Sequence, residues 1–507
     1  MATTQPRPAR QAERQAVHAA HSAAPTHAAS ATTPLPAGGL LSHAAGATLA
    51  EQLAGRVAER ITQRLLAPGA RLPSVRECAR HQGLSPSTVV AAYDLLQARG
   101  LVQARPQRGF FVRDAATGAA HARRHALVPA PQPKPVPVDA TALIRGMFQA
   151  QGGLPAPGMG TLPESWLDAA VLQRALRRVC NTPSAWLSYG EPAGDPLLRQ
   201  ALAQRLAGLG VAATPGQIVT TVGATHALDL VCRTLLQPGD AVLVDEPGWA
   251  VEYARLTRLG MRLLPVPRGA DGPDLAVMAA LLREHRPRLY VTVSVLHNPT
   301  GNSLTPATAH QVLRLAEAHD LTIVEDDTYS WLAPPHATRL AQLDGLQRTV
   351  YVSGFSKILT PQWRVGYVAA APALAERLID TKLLTTLTTP APLEQAVAMC
   401  LQQGTLRRHA DRVMTQLDAA RQRTTRLVRE AGCHFVTPPA GLFGWVDVGL
   451  DTEPLAQRLL DEGWLTAPGT LFHATPRPTS LMRINFATAQ DARFWQRIKR
   501  LRTSTHD

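Results

Sequence analysis

The sequence predicts a multidomain protein of 507 residues, with a small α+β domain followed by a larger α/β domain. Three observations support this. Helical periodicity and then a short hairpin pattern occupy residues 47–114. Strand-like and helical segments alternate over residues 142–507, which is typical of α/β architecture. Residues 115–141 lie between them and include the run Pro-Ala-Pro-Gln-Pro-Lys-Pro-Val-Pro, the composition of a semi-rigid linker.

Composition limits the class of protein. The chain has a net charge of +14, which favours a polyanionic partner, and no run approaches the roughly 18 apolar residues of a membrane span. Its five cysteines are scattered without a C-x-x-C pair, so we expect no disulfide framework and no metal site, as in a reducing cytoplasm. Residues 1–46 are rich in Ala, Thr, Pro and His and are predicted to be disordered. An organelle transit peptide is the less favoured alternative for them.

The small domain has clear helix boundaries. A first helix begins at Thr48, carries apolar residues at a spacing of four, and ends before Pro68-Gly69. Ser74 and Glu77 form a capping-box pattern that predicts the start of a second helix. Ser85 is a good N-cap for a third helix that ends near Arg99. Two short strands, residues 101–105 and 110–113, follow and are joined by a turn.

This order of elements is a winged helix-turn-helix, whose third helix would enter the major groove of DNA. Residues 51–113 contain ten arginines, no lysine and four acidic residues, so positive charge is enriched there. The stretches Pro-Gly-x-Arg-Leu-Pro-Ser-x-Arg, Leu-Ser-Pro-Ser-Thr-Val and Gly-Phe-Phe-Val resemble those of the GntR superfamily of bacterial regulators. The resemblance implies that DNA is contacted by Arg71, Ser74, Arg76, Ser85, Ser87, Thr88 and Gly109.

In the large domain, chemically active residues follow successive predicted strands. Strands at 241–245, 289–295, 321–324 and 349–352 lead into segments that hold Trp249, Asn298, Asp326 with Tyr329, and Lys357. A further strand, 218–222, leads into Gly223-Ala224-Thr225 and a helix, and the N-terminus of a helix suits a phosphate. Open α/β sheets bind ligands at the carboxyl ends of their strands.

Lys357 is the centre of this set. The chain has 52 lysines and arginines together, but only four are lysines. Arginine does not deprotonate in proteins, whereas a lysine amine can form a Schiff base. Ser353, Ser356 and Arg364 surround Lys357 with donors suited to a phosphate. This is the pattern of a lysine that holds pyridoxal 5'-phosphate (PLP).

Residues 145–507 resemble the fold-type I PLP enzymes of the aspartate aminotransferase family, through Asn-Pro-Thr-Gly, Asp-x-x-Tyr and Ser-x-x-Ser-Lys in this order. The resemblance implies a mixed, mostly parallel sheet with flanking helices and a smaller C-terminal subdomain at about 380–507. It also implies Lys357 as the Schiff-base lysine. The implied cofactor contacts are Tyr189 (from the partner subunit), Gly223, Ala224, Thr225, Trp249, Asn298, Asp326, Tyr329, Ser353, Ser356 and Arg364.

Two assignments within this family pattern depend on spacing. Asp326 would face the pyridine nitrogen, and Asp327 is its close competitor; the family spacing to Tyr329 favours Asp326. Arg483, in Met-Arg-Ile-Asn-Phe, matches the arginine that binds a substrate α-carboxylate.

The two halves together resemble the MocR-type subfamily of GntR regulators. The resemblance implies a cytoplasmic, homodimeric transcriptional regulator of promoter DNA, whose effector is PLP or an amine or amino acid that forms an aldimine with it. In the subfamily the tyrosine often follows the ring aspartate by two residues, whereas Tyr329 follows by three, as in true aminotransferases. An active PLP-dependent aminotransferase with an accessory DNA-binding domain is therefore the alternative. A repressor whose large domain only dimerises is a third hypothesis.

Overall fold

The computed structural model describes residues 48–63, 65–66, 68–105, 108–113, 155–181 and 187–503. The segment predicted to be disordered, 1–46, and the predicted linker, 115–141, lie outside these ranges. We call residues 48–113 the head and residues 155–503 the body.

The head has the predicted order of three helices and a hairpin. Its elements are α1 (Leu49–Thr62), α2 (Val75–Gln82), α3 (Pro86–Ala98), β1 (Val102–Arg105) and β2 (Gly109–Val112). Thr48 and Ser74 each form a full capping box, with Glu51 and Glu77 respectively, and Ser85 caps α3 by accepting from the backbone N–H of Thr88. The predicted helix starts are thus confirmed at the level of single hydrogen bonds.

The core of the head holds α3 in place. Tyr93 of α3 is fully buried, its ring meets Phe110 of the hairpin at 4.8 Å, and its hydroxyl donates to the carbonyl oxygen of Pro73 at 3.0 Å. One side chain therefore ties α3 both to the hairpin and to the turn before α2.

The body contains two sheets and their flanking helices. Its helices are α4 (Ala169–Cys180), α5 (Pro196–Ala207), α6 (Gly223–Leu235), α7 (Ala250–Arg258), α8 (Leu275–His285), α9 (Pro306–Ala318), α10 (Leu340–Asp344), α11 (Pro372–Thr385), α12 (Ala391–Gln402), α13 (Thr405–Glu430), α14 (Thr452–Asp461) and α15 (Ala492–Thr503). Its strands are β3 (Ile218–Thr221), β4 (Ala241–Glu246), β5 (Arg262–Pro267), β6 (Leu289–Thr292), β7 (Thr322–Asp326), β8 (Thr349–Gly354), β9 (Gly366–Ala369), β10 (His434–Phe435), β11 (Phe443–Asp447), β12 (Ala467–Pro468) and β13 (Leu481–Asn485).

The large sheet has seven strands in the order β3-β9-β8-β7-β6-β4-β5. Strand β9 is antiparallel to both of its neighbours, and the other strands share one direction. The carboxyl ends of β3, β4, β6, β7 and β8 therefore lie at one edge, where the sequence predicted the functional residues. The mixed, mostly parallel sheet implied by the resemblance is confirmed.

The second sheet is antiparallel, in the order β10-β11-β13-β12, and forms the core of a smaller subdomain. We call this sheet with α14 and α15 the small subdomain. Its buried residues Met482, Ile484 and Phe486 belong to the same hydrophobic core as Tyr351 and Phe355 of the large sheet. The small subdomain thus packs directly against the body's larger part, and β13 carries Arg483 toward the edge described above.

Among the described residues, no helix is both long enough and apolar enough to cross a membrane.

Candidate functional site

A cup of donors forms where α6 begins. Gly223 has φ +77°, and a Cβ at this position would lie 2.5 Å from an Nη atom of Arg364. Arg364 donates to Oγ of Ser356 at 2.9 Å and to the carbonyl oxygen of Val222 at 3.3 Å. A guanidinium, a hydroxyl and the free N–H groups at the start of α6 thus converge, as a phosphate requires.

Ser353 does not join this cup. Strand β8 continues to Gly354, two residues beyond the predicted end, so Ser353 and Tyr351 lie on the same face of the sheet. Both contact Asp327: the hydroxyl of Ser353 donates to its carbonyl oxygen at 2.8 Å, and that of Tyr351 to its carboxylate at 2.7 Å. The predicted contact of Ser353 with the phosphate is therefore not supported. Its buried hydroxyl already donates its hydrogen bond to the carbonyl oxygen of Asp327.

Lys357 lies in the loop after β8, with its amine directed into the body. Nζ donates to the carbonyl oxygen of Gly160 at 2.7 Å. Burial, followed by the positive charge of Arg483, lowers the pKa of Lys357 to about 8, although Asp326 acts in the opposite direction. About a tenth of the amine is therefore neutral at pH 7, far more than for an ordinary lysine, and the neutral form is the one that attacks an aldehyde.

Asp326 is the last residue of β7 and faces a small cavity beside Trp249. Its carboxylate accepts from the backbone N–H of Thr328 at 3.0 Å and also from the Thr328 hydroxyl. Burial is the main reason that the pKa of Asp326 is raised to about 6. A partly buried carboxylate of this kind attracts a protonated ring nitrogen.

The competitor Asp327 is already paired. Its carboxylate accepts from Nε of Arg339 at 2.5 Å and from the hydroxyl of Tyr351, and all three side chains are fully buried. Because Arg339 and Tyr351 bind the carboxylate of Asp327, that carboxylate does not line the cavity beside Asp326. The choice of Asp326 from its spacing agrees with this geometry.

Arg483 and Asn298 meet across the two sheets. Arg483, only 3% exposed, donates to Oδ1 of Asn298 at 3.0 Å and to the carbonyl oxygen of Gly158 at 2.8 Å. Its guanidinium lies 4.4 Å from the ring centre of Phe443 and 5.0 Å from that of Phe472, and its Nε has no partner among the described residues. Burial lowers the pKa of Arg483 to about 10. A buried guanidinium with an unused donor suits a carboxylate ligand.

Tyr329 completes this group. Its ring packs edge-on against Phe443 at 5.4 Å, and burial raises the pKa of its hydroxyl, with a hydrogen bond to Asn298 acting in the opposite direction. The structure therefore brings Asn298, Tyr329 and Arg483 together, as the family pattern implied.

A segment that no sequence motif indicates, residues 155–161, crosses the site. Its carbonyl oxygens accept from Arg483 (at Gly158), from Lys357 (at Gly160) and from the Asn485 side chain (at Met159 and Thr161). A Cβ on Gly158 would lie 2.4 Å from the backbone nitrogen of Ala467, so this close approach requires glycine. The one available signal was Asn485, two residues after Arg483 and thus on the same face of β13.

Tyr189 lies at the protein surface. It is 82% exposed, and Leu187 and Leu384 are likewise exposed, at 85% and 89%. Its expected role at a partner's site stays a prediction.

The predicted DNA contacts include two local groups in the head, one at the start of α3 and one beside the hairpin. Ser85, Ser87 and Thr88 surround the start of α3, where Oγ of Ser85 lies 2.8 Å from Oγ of Ser87 and 2.7 Å from Oγ1 of Thr88. Arg76 is exposed on α2, whereas the Ser74 hydroxyl is engaged in its capping box. In the hairpin, the position for a Cβ on Gly109 lies 3.6 Å from Nε of Arg71, so these two predicted contacts are adjacent.

The residues of the body fit PLP. The cup at Gly223, Ser356 and Arg364 suits its phosphate, and Asp326 suits its ring nitrogen beside Trp249. Lys357 can hold its aldehyde carbon, and Asn298 and Tyr329 can reach its phenolic oxygen. The donor set thus matches each polar group of this cofactor, and Arg483 remains available for a ligand carboxylate.

Two family models match the chain. Residues 158–501 match "Aminotransferase class I and II", and residues 49–112 match "Bacterial regulatory proteins, gntR family". The HTH-type transcriptional regulator YdcR of Escherichia coli is 31% identical over 89% of this chain and 97% of its own length. The HTH-type transcriptional regulator TauR of Rhodobacter capsulatus is 32% identical over 84% of this chain and 90% of its own.

Aminotransferases resemble the body alone. The 2-aminoadipate transaminase of Thermus thermophilus is 30% identical over 70% of this chain and 89% of its own length. The crystal structure of α-aminoadipate aminotransferase LysN from Thermus thermophilus, complexed with N-(5'-phosphopyridoxyl)-L-leucine, aligns with a TM-score of 0.65 at 25% identity, covering 71% of this chain and 94% of that one. Because the relatives that span both the head and the body are regulators, the chain belongs to the GntR transcriptional regulators with an aminotransferase domain, the MocR type.

Proposed function

We propose that this protein is a PLP-dependent regulator of transcription, which binds promoter DNA through the head and responds to a ligand in the body. The observation that carries the proposal is the presence in one chain of a complete GntR head and a body whose partly buried Lys357 and buried Arg483 fit PLP and a carboxylate. The proposed place of action is the bacterial cytoplasm, where promoter DNA is found.

The head presents its DNA-binding surface at the start of α3. The exposed hydroxyls of Ser85 and Ser87, together with the partly exposed Thr88, can reach phosphates or base edges in the major groove. Arg71 and Gly109, in and beside the hairpin, would lie along the DNA backbone, and Arg76 adds charge from α2. Specificity would come from α3, and most of the affinity from the arginines.

When bound, PLP supplies an aldehyde that condenses with primary amines and a ring that withdraws electrons. The chain's own residues would position it. The donors at Gly223, Ala224, Thr225, Ser356 and Arg364 would bind the phosphate, and Trp249 would cover the ring. Asp326 would keep a proton at the ring nitrogen.

An amine or amino acid that enters this site would compete for the same aldehyde, and Arg483 would bind its carboxylate. Such a ligand regulates DNA binding only if it binds two states of the protein unequally.

We also propose a homodimer, because an apolar surface is exposed on the body. It consists of Leu187, Tyr189, Leu384 and Leu387, which are 50–89% exposed. The two parts of this surface adjoin, since a Cβ on Gly190 would lie 3.2 Å from the carbonyl oxygen of Thr389. A second copy of the chain would cover it, and Tyr189 would then reach the partner's phosphate cup. Light scattering on Leu384→Glu should show monomers where the unaltered protein shows dimers.

The function is tested by DNA binding to the protein's own upstream region, with and without PLP, for the unaltered protein and Lys357→Ala. We expect PLP to change the affinity of the unaltered protein for DNA by several-fold. The affinity of Lys357→Ala for DNA should not change. If the affinity for DNA is the same in all four cases, PLP alone is not the signal. Absence of DNA binding at moderate salt would contradict the regulator function.

A working aminotransferase is the second candidate, and the intact pair of Arg483 and Lys357 favours it. Conversion of an amino acid and a keto acid, followed over many turnovers, would distinguish it from a regulator that only binds them. PLP binding alone would not.

A further inference from the structure

Glu252 is a buried acid next to the cofactor residues, and no role has been assigned to it above. It lies in the first turn of α7, three residues after Trp249, and is 5% exposed. Its Oε1 accepts from Arg255, whereas its Oε2 is buried and has no partner among the described residues. A carboxylate oxygen left this way within the protein is uncommon and suggests a function.

A small cavity joins Glu252 to Asp326. Both side chains line it, together with Trp249, Leu228 and Val291, and its volume is about 30 Å³. This is room for one or two water molecules, and two carboxylates supply enough acceptors to hold one. The two acids thus share one desolvated space beside the predicted ring position.

The charge of Glu252 acts on Asp326. The pKa of Asp326 is raised to about 6, mainly by burial, and the negative charge of Glu252 contributes in the same direction. Arg255 pairs with Glu252 and is itself 4.0 Å from Asp229 of α6, which pairs with Arg233 at 2.6 Å. A line of alternating charges therefore runs from the cavity to the protein surface.

Of the other titratable groups that line the cavity, one is already paired and hydrogen-bonded, and another is uncharged. Asp245 of β4 is paired with Arg268 and accepts from Tyr290 and Thr292. His297 follows β6, and burial holds its pKa well below its usual value, so it is uncharged. The remaining groups that face the cavity or its two acids are Tyr253 of α7, Cys232 of α6, Asp327 after β7, Lys357 after β8 and Arg483 of β13.

We propose that Glu252 is a positioning residue that acts through Asp326: its carboxylate strengthens the negative field at the pyridine nitrogen of PLP and so holds the proton there. This inference rests on the proposed binding of PLP. With Glu252 present, a second carboxylate faces Asp326 across the cavity and strengthens the field that Asp326 presents to the ring proton, and Arg255 offsets part of that effect. Without it, Asp326 acts alone and the ring loses its proton at a lower pH.

The test uses the full-length protein, freed of PLP and titrated with it. We expect Glu252→Gln to bind PLP about tenfold more weakly, the effect of a partly screened charge within several ångströms. We also expect the pH at which the absorbance spectrum of bound PLP changes to fall by about one unit, since a tenfold change in equilibrium corresponds to one pH unit. Glu252→Asp keeps the carboxylate, so its PLP affinity and the pH of its spectral change should lie close to those of the unaltered protein.

Two controls separate this effect from general damage. Asp418 on helix α13 pairs with Arg421 in the same i,i+3 arrangement. Asp418→Asn should change neither the PLP affinity nor the pH at which the spectrum of bound PLP changes. In an Asp326→Asn background, Glu252→Gln should add little, because the residue through which it acts is gone. If Glu252→Gln melts well below the unaltered protein, Glu252→Ala is measured in its place.

The outcomes are distinct. The proposal would be overturned if Glu252→Gln had the PLP affinity of the unaltered protein and its bound PLP changed spectrum at the same pH. PLP binding itself would then stand. An equal loss in both Asp326 backgrounds would also overturn it, because Glu252 would then act independently of Asp326. Failure of the unaltered protein to bind PLP would instead contradict the proposed function.

Discussion

The guanidinium of Arg60 in the head and the carboxyl group of Asp461 in the body are in buried contact, with 2.7 Å between Nη1 and Oδ1. Arg60 lies in the last turn of α1, and Asp461 is the last residue of α14 in the small subdomain. Their side chains are only 10% and 5% exposed, and Gln457 also donates to the Asp461 carboxylate at 3.1 Å. The contact joins the part of the chain that binds DNA to the subdomain that carries Arg483.

We expect this contact to weaken as the pH rises from about 4 to about 7. Burial raises the pKa of Asp461 from its ordinary 3.8 to about 7, more than the positive charge of Arg60 lowers it. Between these two values the docked state binds a proton that the undocked state does not. The docking energy is therefore fully present below pH 3.8 and is lost as the pH rises through the pKa of about 7.

Small-angle scattering of the full-length protein at pH 5 and pH 8 measures this docking through the radius of gyration. Asp461→Asn should remove the pH dependence. Asp418→Asn is the control, because Asp418 pairs with Arg421 within the body. The same pH dependence in Asp461→Asn would show that another group is responsible.

The amine of Lys357 sets the pH dependence of PLP capture. Because burial lowers its pKa to about 8, we expect the rate constant for covalent capture to rise about tenfold per pH unit below that value and to level off above it. Stopped-flow absorbance measures the rate, and reduction with borohydride followed by peptide mapping identifies the residue.

Lys382 is the matched control for Lys357. It is fully buried, its pKa is likewise lowered to about 8 by burial, and it contacts Thr220 and Thr389 at 3.3 and 3.5 Å. Lys382→Met should capture PLP with unchanged pH dependence, whereas Lys357→Ala should retain no label. Labelling of Lys382 in the unaltered protein would contradict the assignment of Lys357.

The neighbouring acids Asp326 and Asp327 should respond oppositely to the same change. Asp326→Asn preserves the shape of the side chain, so we expect little change in melting temperature and at least a tenfold loss in PLP affinity. Asp327→Asn leaves the buried Arg339 without its charge partner, which destabilises the fold by about 3–5 kcal/mol. Thermal melts and PLP titrations of both variants check this, and a reversal of the two effects would exchange the roles of the two acids.

These two acids also show how far the sequence leads. The strand-end positions of Asn298, Asp326 and Lys357 were predictable, because parallel strands bring their carboxyl ends to one edge. The direction of Ser353 was not, because it depends on β8 continuing for two residues more than its apolar run indicates. The contact between Gly160 and Lys357 links residues that are 197 positions apart. No local sequence pattern predicts which backbone carbonyl will accept a hydrogen bond from a distant amine.

Arg483 should distinguish ligands by their carboxylate. It has an unused Nε and lies between two aromatic rings, so we expect it to bind an α-carboxylate through charged hydrogen bonds worth about 1.5–3 kcal/mol each. Arg483→Gln should then weaken an amino acid effector at least tenfold. It should weaken the corresponding amine without a carboxylate less than twofold.

The measurement is the ligand concentration that half-changes the spectrum of bound PLP, for each amino acid and its decarboxylated amine. Arg477→Gln is the control, since Arg477 is 63% exposed and pairs at the surface with Glu246. Equal losses for both ligands would mean that Arg483 supports the fold of the site, through Asn298 and Gly158, rather than the carboxylate. A loss confined to the amino acid would identify the effector as a carboxylate-bearing amine.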